Sequence, residues 1–238
     1  MPIEQPPHLS PDAPRTDRAA GDPSDALALH VWHRPARFTA DFATQAGLSA
    51  RALMIAGWVI YAVVFLLFWT GHYWLGLLAA VAFAVLDLAA DNLDQTRGSS
   101  EWTKRGVGIL LPLLWWWAWS HGLNAYGAPL EPVYQASLLA VIVLATLADG
   151  IIHILFERRF RPMSMREWRP VDTRFRLISA GRDTNLVILA GSLLFGRPDS
   201  GLELVGLWTL LSLIFHAVRY AQASAARDRG QPVRSWLR

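Results

Sequence analysis

The sequence contains a succession of long apolar segments separated by short polar connections, and this pattern limits what the chain can fold into. A helix needs about 20 mostly apolar residues to cross the hydrocarbon core of a bilayer, which is about 30 Å thick. The pattern therefore predicts an all-α polytopic membrane protein with six transmembrane helices. Five of the segments are residues 52–69, 73–90, 106–123, 133–156 and 202–220. The remaining one, fifth in chain order, is short if it starts at Asn185 and is long enough if it starts near Leu177.

The basic residues predict how these helices are oriented. Eight arginines lie between Glu157 and Asp183, and four more follow Tyr220. By contrast, residues 70–72 and 124–132 contain no Lys or Arg. Because basic loops remain on the cytoplasmic side of a membrane, an even number of helices places both termini in the cytoplasm. The expected location is the cell (inner) membrane.

Four regions are expected along the chain. Residues 1–24 are rich in Pro, Asp and Ala, lack the apolar core of a secretory signal, and are expected to be a disordered cytoplasmic tail. Residues 25–50 mix apolar and basic side chains, which fits either a juxtamembrane amphipathic helix or an irregular cytoplasmic segment. Residues 51–222 form the six-helix transmembrane domain, and residues 223–238 form a basic cytoplasmic tail.

Composition and motifs exclude several kinds of site. The chain has no Cys, which removes disulfides, thiolate metal sites and a Cys nucleophile. The sequence pI is about 9.7, but the basic residues flank apolar segments, so nucleic acid is not an expected partner. No P-loop, G-x-S-x-G or dinucleotide fingerprint is present. The tryptophans Trp115, Trp116, Trp117 and Trp119 are expected to form a belt at the membrane interface.

Three stretches of the sequence resemble one known family when they are taken together. The first is Ala-Gly-Leu-Ser-Ala-Arg-Ala-Leu at residues 46–53, which leads into the first apolar segment. The second is residues 73–94, which end in Asp-Asn-Leu-Asp, and the third is residues 182–219. Over roughly residues 30–225 the chain resembles the CDP-alcohol phosphotransferases, integral membrane enzymes of phospholipid synthesis that have six helices.

The resemblance implies an activity, a cofactor and partners. These enzymes move a phosphoalcohol or phosphatidyl group from a CDP-linked donor to an alcohol and release CMP. The family signature is D-x2-D-G-x2-A-R followed by G-x3-D-x3-D. Its aspartates hold Mg²⁺ or Mn²⁺ against the diphosphate, and the last one deprotonates the alcohol. Membrane lipids, and a homodimer or a heterodimer with a paralogue, are the implied partners.

The first half of that signature is present in this chain. Asp91 and Asp94 match the first two aspartates, and the resemblance makes them the predicted metal ligands. After them the match weakens, because Gln95 stands where the family has Gly and Arg97 comes two positions early.

The second half of the signature is missing under either alignment. One alignment puts Lys104 and Gly108 at the last two aspartate positions, and the other puts Leu110 and Leu114 there. Because the expected base is lost, the transferase activity is expected to be impaired. The alternative is a non-catalytic relative that binds lipid or nucleotide or pairs with an active paralogue. Lys104 either places its ammonium where a metal would stand or is a solvated lysine that helps to set the topology.

Other polar residues near these helix ends are predicted to complete the site. Arg97, Arg182 and Asp183 are the candidates for contact with nucleotide or phosphate. Asp87 lies four residues before Asp91, on the same face of the helix. It is the candidate substitute for the missing base.

Two histidines near the arginine-rich side form a separate pattern. Asp149 and His153 are spaced i, i+4, which would allow both to ligate a metal, but the sequence shows no third ligand. We therefore interpret them as a hydrogen-bonded pair inside the membrane. His153 and His216 lie near the cytoplasmic ends of their helices, where a pair of histidines could ligate haem iron. A haem site is disfavoured, because the sequence contains no motif that pairs these histidines on facing helices.

Overall fold

Helices are the only regular elements in the part of the chain that the structure describes. The computed structural model describes residues 31–94, 101–161 and 163–235, without side-chain detail at residues 94, 101–111 and 166. These ranges contain no strand, so the predicted all-α fold is confirmed. The helices are α1 (His33–Gln45), α2 (Ala50–Trp69), α3 (Tyr73–Asp94), α4 (Glu101–Tyr126), α5 (Pro132–Arg159), α6 (Pro170–Arg176), α7 (Arg182–Leu194) and α8 (Pro198–Asp228), with a 3-10 turn at Met165–Glu167.

Within the described residues, four helices are long and apolar enough to cross a membrane. They are α2, α3, α5 and α8. They coincide with four of the predicted segments and indicate a membrane protein. Large apolar side chains such as Leu78, Leu144 and Leu211 are exposed on their outer faces. Apolar surface of this extent suits contact with lipid better than contact with water.

The fifth predicted segment is shorter than expected. Helix α7 has 13 residues, which corresponds to about 20 Å of rise and is less than the hydrocarbon core. It begins at Arg182, between the two starts that the sequence left open, Leu177 and Asn185, so neither of those boundaries is correct. Its N-cap is Gly181, which has an extended backbone, and the backbone N–H of Ala180 donates to the Ser212 hydroxyl of α8 at 2.9 Å. This contact holds the segment before α7 in a non-helical conformation.

Helix α4 covers the third predicted segment and extends beyond it at both ends. It has 26 residues and contains Pro112, and a helix of that length rises about 39 Å. Gly122 allows α4 to approach the end of α2 closely. A methyl group at this position would overlap the carbonyl oxygen of Phe68.

The tryptophans of α4 form a core and not the expected interfacial belt. Trp115, Trp116 and Trp119 are buried, and of the four only Trp117 is largely exposed, at 47%. Trp119 stacks on Tyr73 with ring centroids 4.0 Å apart, and its indole N–H donates to the carbonyl of Pro198. The belt interpretation was therefore wrong for three of the four side chains, because they face the neighbouring helices α2, α3 and α8.

Helix α1 has two unlike faces. Its buried face consists of Ala36, Ala40 and Ala43, which form a cluster with residues of α2 and α3. Its opposite face exposes Phe38 at 75% and Phe42 at 60%. The small alanines allow α1 to pack closely against α3, while the aromatic rings remain without cover from the rest of the described chain.

Helices α5 and α8 form an extensively packed pair. Gly206 of α8 lies directly against Leu138 of α5, so the two helices approach closely. Phe160, Met163, Met165 and Trp168, which follow α5, form a small apolar cluster with Phe156 of α5 and Ala223 of α8 at one end of this pair. The same end carries the histidines and the basic residues described below.

Candidate functional site

The end of α3 carries acidic residues and packs against α7. Asp87 and Asp91 lie one turn apart on α3, and Asp94 is the last residue of that helix. The Asp87 side chain is half exposed and the Asp91 residue is of intermediate exposure, whereas the Asp94 side chain is outside the described residues. Carboxylates at the C-terminal end of a helix are opposed by the helix dipole, so this end is electrostatically unfavourable without a cation.

Arg182 supplies a positive charge to this end. Its Nη1 donates to Oδ2 of Asp87 at 2.8 Å, and its Nε donates to Oδ1 of Asp183 at 2.7 Å. The guanidinium also lies 5.2 Å from the ring centroid of Phe83. Because Arg182 is the first residue of α7, these contacts join the start of α7 to the last turns of α3.

Asp183 is the fixed partner of Arg182. Its side chain is 2% exposed, and its second oxygen accepts a hydrogen bond from the indole N–H of Trp32 at 3.1 Å. Both carboxylate oxygens therefore have donors, as a buried carboxylate requires. Asp87, at 50% exposure, is the partner that solvent or a ligand can reach.

Two buried amide atoms near this region have no hydrogen-bond partner among the described residues. They are Nδ2 of Asn92 on α3 and Oδ1 of Asn185 in the first turn of α7. A buried polar atom left without a partner costs about 1–3 kcal/mol. A polar group that reached either amide atom would remove this cost.

The structure brings together only some of the residues predicted for the site. Asp87, Arg182 and Asp183 are in contact, and Asp91 lies one turn from Asp87 on the same helix. Arg97 falls outside the described residues. Lys104 and Gly108 lie on α4, but the described side chains do not include that of Lys104, so its predicted proximity to the carboxylates stays a prediction.

The donor set at the end of α3 fits a hard divalent cation. Asp91 and Asp94 offer carboxylate oxygens, the ligands that Mg²⁺ and Mn²⁺ take in proteins. Asp87 is a weaker candidate for the same ion, because Arg182 already holds one of its oxygens at 2.8 Å.

A second cluster lies between α5 and α8. Nδ1 of His216 lies 2.7 Å from Oδ1 of Asp149, and Nε2 of His153 lies 3.7 Å from Oδ2 of the same carboxylate. The two imidazole rings are 4.6 Å apart. The sequence predicted the pairing of Asp149 with His153 but not the third member, His216. The similar position of both histidines near their helix ends was the available signal.

A buried ion pair attaches α6 to α8 beside that cluster. The guanidinium of Arg219 donates to both oxygens of Asp172, at 2.5 Å and 2.8 Å, and lies 4.4 Å from the ring of Trp168. Asp172 also caps α6 by accepting from the backbone N–H of Arg169. The pair fixes α6, within the arginine-rich loop, against the end of α8.

Comparisons with protein-family models, with curated proteins and with solved structures found no match to this chain. The function is therefore inferred from the positions of these side chains and from the chemistry that they allow. The contact between α3 and α7 is where three of the predicted site residues, Asp87, Arg182 and Asp183, meet.

Proposed function

We propose that the chain is a six-span protein of the cell membrane with both termini in the cytoplasm. Four apolar helices support this topology, and α4 is long enough to add a fifth crossing. Helix α7 would be the sixth, and its shortness would place Arg182 and Asp183 at the level of the cytoplasmic boundary. The arginine-rich connection between α5 and α7 would lie on the same side.

We propose further that the protein is a CDP-alcohol phosphotransferase-like enzyme with impaired activity. It would transfer a phosphoalcohol or phosphatidyl group from a CDP-linked donor to an alcohol and release CMP. The observation that carries this proposal is the 2.8 Å contact between Arg182 at the N-terminus of α7 and Asp87 at the acidic end of α3. A helix N-terminus that also presents a guanidinium is well suited to hold phosphate.

The same contact suggests how Asp87 would gain a role. A phosphate that accepts two hydrogen bonds from the guanidinium of Arg182 would displace the half-exposed Asp87. The buried Asp183 would keep the guanidinium in place. The released carboxylate would then be available to accept the proton of the alcohol. Mg²⁺ or Mn²⁺ bound by Asp91 and Asp94 would neutralise charge on the diphosphate.

The second candidate function is a non-catalytic protein that binds lipid or nucleotide. It is favoured by the fact that Arg182 is already paired with both Asp87 and Asp183, which opposes transfer of its guanidinium to a phosphate. A non-catalytic protein that binds nucleotide would share donor binding with the transferase, but only the transferase would release CMP.

Binding of CDP to the purified protein in the presence of Mg²⁺ tests the shared part of both candidates. Arg182→Ala should weaken binding by about 10- to 100-fold, because a hydrogen bond to a charged group contributes about 1.5–3 kcal/mol. Arg197→Ala is the matched control. Arg197 pairs with Asp199 at the opposite end of α7, and its removal should leave CDP affinity unchanged. Equal binding by both variants would exclude Arg182 as the phosphate contact.

A further inference from the structure

The cluster of Asp149, His153 and His216 has no role in the proposed transfer reaction. One ligand atom from each residue lies within 4.8 Å of the other two. Asp149 and His153 occupy successive turns of α5, and His216 reaches them from α8. The three side chains therefore converge from two helices on one small volume.

The distances between the carboxylate oxygens and the histidine nitrogens are close to those between neighbouring ligands of a metal ion. In a tetrahedral zinc site with bonds of 2.0–2.1 Å, neighbouring ligand atoms are about 3.3 Å apart. Nδ1 of His216 lies 2.7 Å from Oδ1 of Asp149, and Nε2 of His153 lies 3.7 Å from Oδ2 of the same carboxylate, so both histidine nitrogens are within about 0.6 Å of that spacing from one oxygen of the group.

We propose that Asp149, His153 and His216 bind one first-row transition-metal dication, with Zn²⁺ as the reference ion. The three residues supply two nitrogens and one carboxylate oxygen, and water takes the fourth position. Imidazole nitrogens favour Zn²⁺ and its neighbours in the first transition row, whereas Mg²⁺ prefers oxygen ligands. The site is therefore distinct in metal preference from the carboxylates at the end of α3.

Burial and charge support this assignment. His216 is buried, whereas the side chains of Asp149 and His153 are 22% and 18% exposed, so the described chain does not completely enclose the cluster. A carboxylate on a membrane-spanning helix needs a compensating positive charge. A dication held by one carboxylate and two neutral imidazoles meets that need directly.

The surrounding rings hold the third ligand in position. The ring centroid of Phe175 lies 5.6 Å from that of His216, and the ring of Phe215 lies 5.8 Å from it. Phe175 itself stacks on Phe215 at 3.8 Å. Because these rings enclose His216, its side chain loses little conformational entropy when the ion binds.

Zinc titration by calorimetry tests the proposal on the full chain, purified without a histidine tag and freed of metal with a chelator. The unmodified protein should bind one equivalent of Zn²⁺, and millimolar Mg²⁺ should not compete. His153→Ala and His216→Gln should each weaken binding by at least about 100-fold, since even residues that only support a ligand change affinity by 10- to 100-fold. His72→Ala is the control, because His72 is exposed on the connection between α2 and α3; its affinity should be unchanged.

A spectroscopic measurement on the unmodified protein keeps the proposal testable if a variant fails to fold. X-ray absorption of the zinc-loaded protein should show nitrogen and oxygen neighbours with the outer scattering of two imidazoles. Asp149→Asn should remove the tight site while keeping the shape of the side chain. Absence of a one-to-one site, a spectrum without imidazole, or equal binding by the His153 and His72 variants would overturn the proposal.

Discussion

Arg182 donates a 2.8 Å hydrogen bond to Asp87, and this bond joins the first residue of α7 to the acidic end of α3. The two partners of Arg182 differ in burial, since Asp183 is 2% exposed and Asp87 is 50% exposed. Ion pairs open to solvent contribute about 1 kcal/mol or less, whereas a buried carboxylate is costly to leave without a partner. A ligand would therefore displace Asp87 and leave Asp183 in place.

If phosphate replaces Asp87 as the partner of Arg182, the substitution Asp87→Asn should strengthen nucleotide binding. Removal of the competing charge should raise CDP affinity by about 5-fold, which corresponds to about 1 kcal/mol for a solvent-exposed ion pair. Calorimetry with CDP measures this directly. Asp199→Asn makes the same change beside Arg197 at the other end of α7 and should have no effect. Weaker CDP binding by Asp87→Asn would mean that Asp87 supports the ligand instead of competing with it.

The buried pair between Asp172 and Arg219 predicts a large loss of stability on truncation. Their side chains are 3% and 8% exposed, and removal of one partner from a buried pair costs about 3–5 kcal/mol. Arg219→Ala should therefore lower the melting temperature of the detergent-solubilised protein markedly. Arg159→Ala is the control, because its pair with Asp228 is exposed and should contribute at most about 1 kcal/mol. Similar melting temperatures for the two variants would contradict the assignment.

Hydropathy was sufficient to predict the all-α fold and four of the helices, because apolar length is a local property of the sequence. The start of α7 was not predictable in this way. Its boundary depends on the contact between Ala180 and Ser212, residues that are far apart in the chain. The same holds for Trp115 and Trp119, whose burial depends on which face of α4 meets its neighbours.

The candidate sites show the same division between local and long-range information. The i, i+4 spacing of Asp149 and His153 predicted that they lie on one face of a helix, and they do. The contribution of His216 depends on the rotation of α8 against α5, which no local pattern specifies. The link from Arg182 to Asp87 similarly requires the packing of α7 on α3.

The close approach of α4 to the turn after α2 predicts that Gly122 cannot be enlarged. A methyl group there would overlap the backbone of Phe68, and overpacking of this kind costs about 1–3 kcal/mol. Gly191→Ala is the matched control, since a methyl group at that helical position meets open space and should stabilise by up to about 1 kcal/mol. Thermal unfolding of the two variants should shift in opposite directions. A stabilising Gly122→Ala would contradict the packing described here.

The proposed topology predicts opposite accessibility for two loops. The chain has no Cys, so single substitutions Ala128→Cys and Arg161→Cys provide unique labelling positions. A membrane-impermeant thiol reagent added to intact cells should label Ala128→Cys, whereas Arg161→Cys should react only after the membrane is opened. Ala128 is preferred to the neighbouring Gly127, whose φ of +90° disfavours a side chain. Labelling of Arg161→Cys in intact cells would reverse the orientation.

The most direct test of the proposed function is the initial rate of CMP release from CDP-linked donors at saturating Mg²⁺. The loss of the expected base predicts a rate about 10²–10⁴ times lower than that of an intact CDP-alcohol phosphotransferase. The residual rate should fall further in Asp91→Asn and in Asp87→Asn, although the latter binds CDP more tightly. CMP release as fast as in an intact enzyme would contradict the impaired site. Absence of both CMP release and CDP binding would contradict the proposed relationship itself.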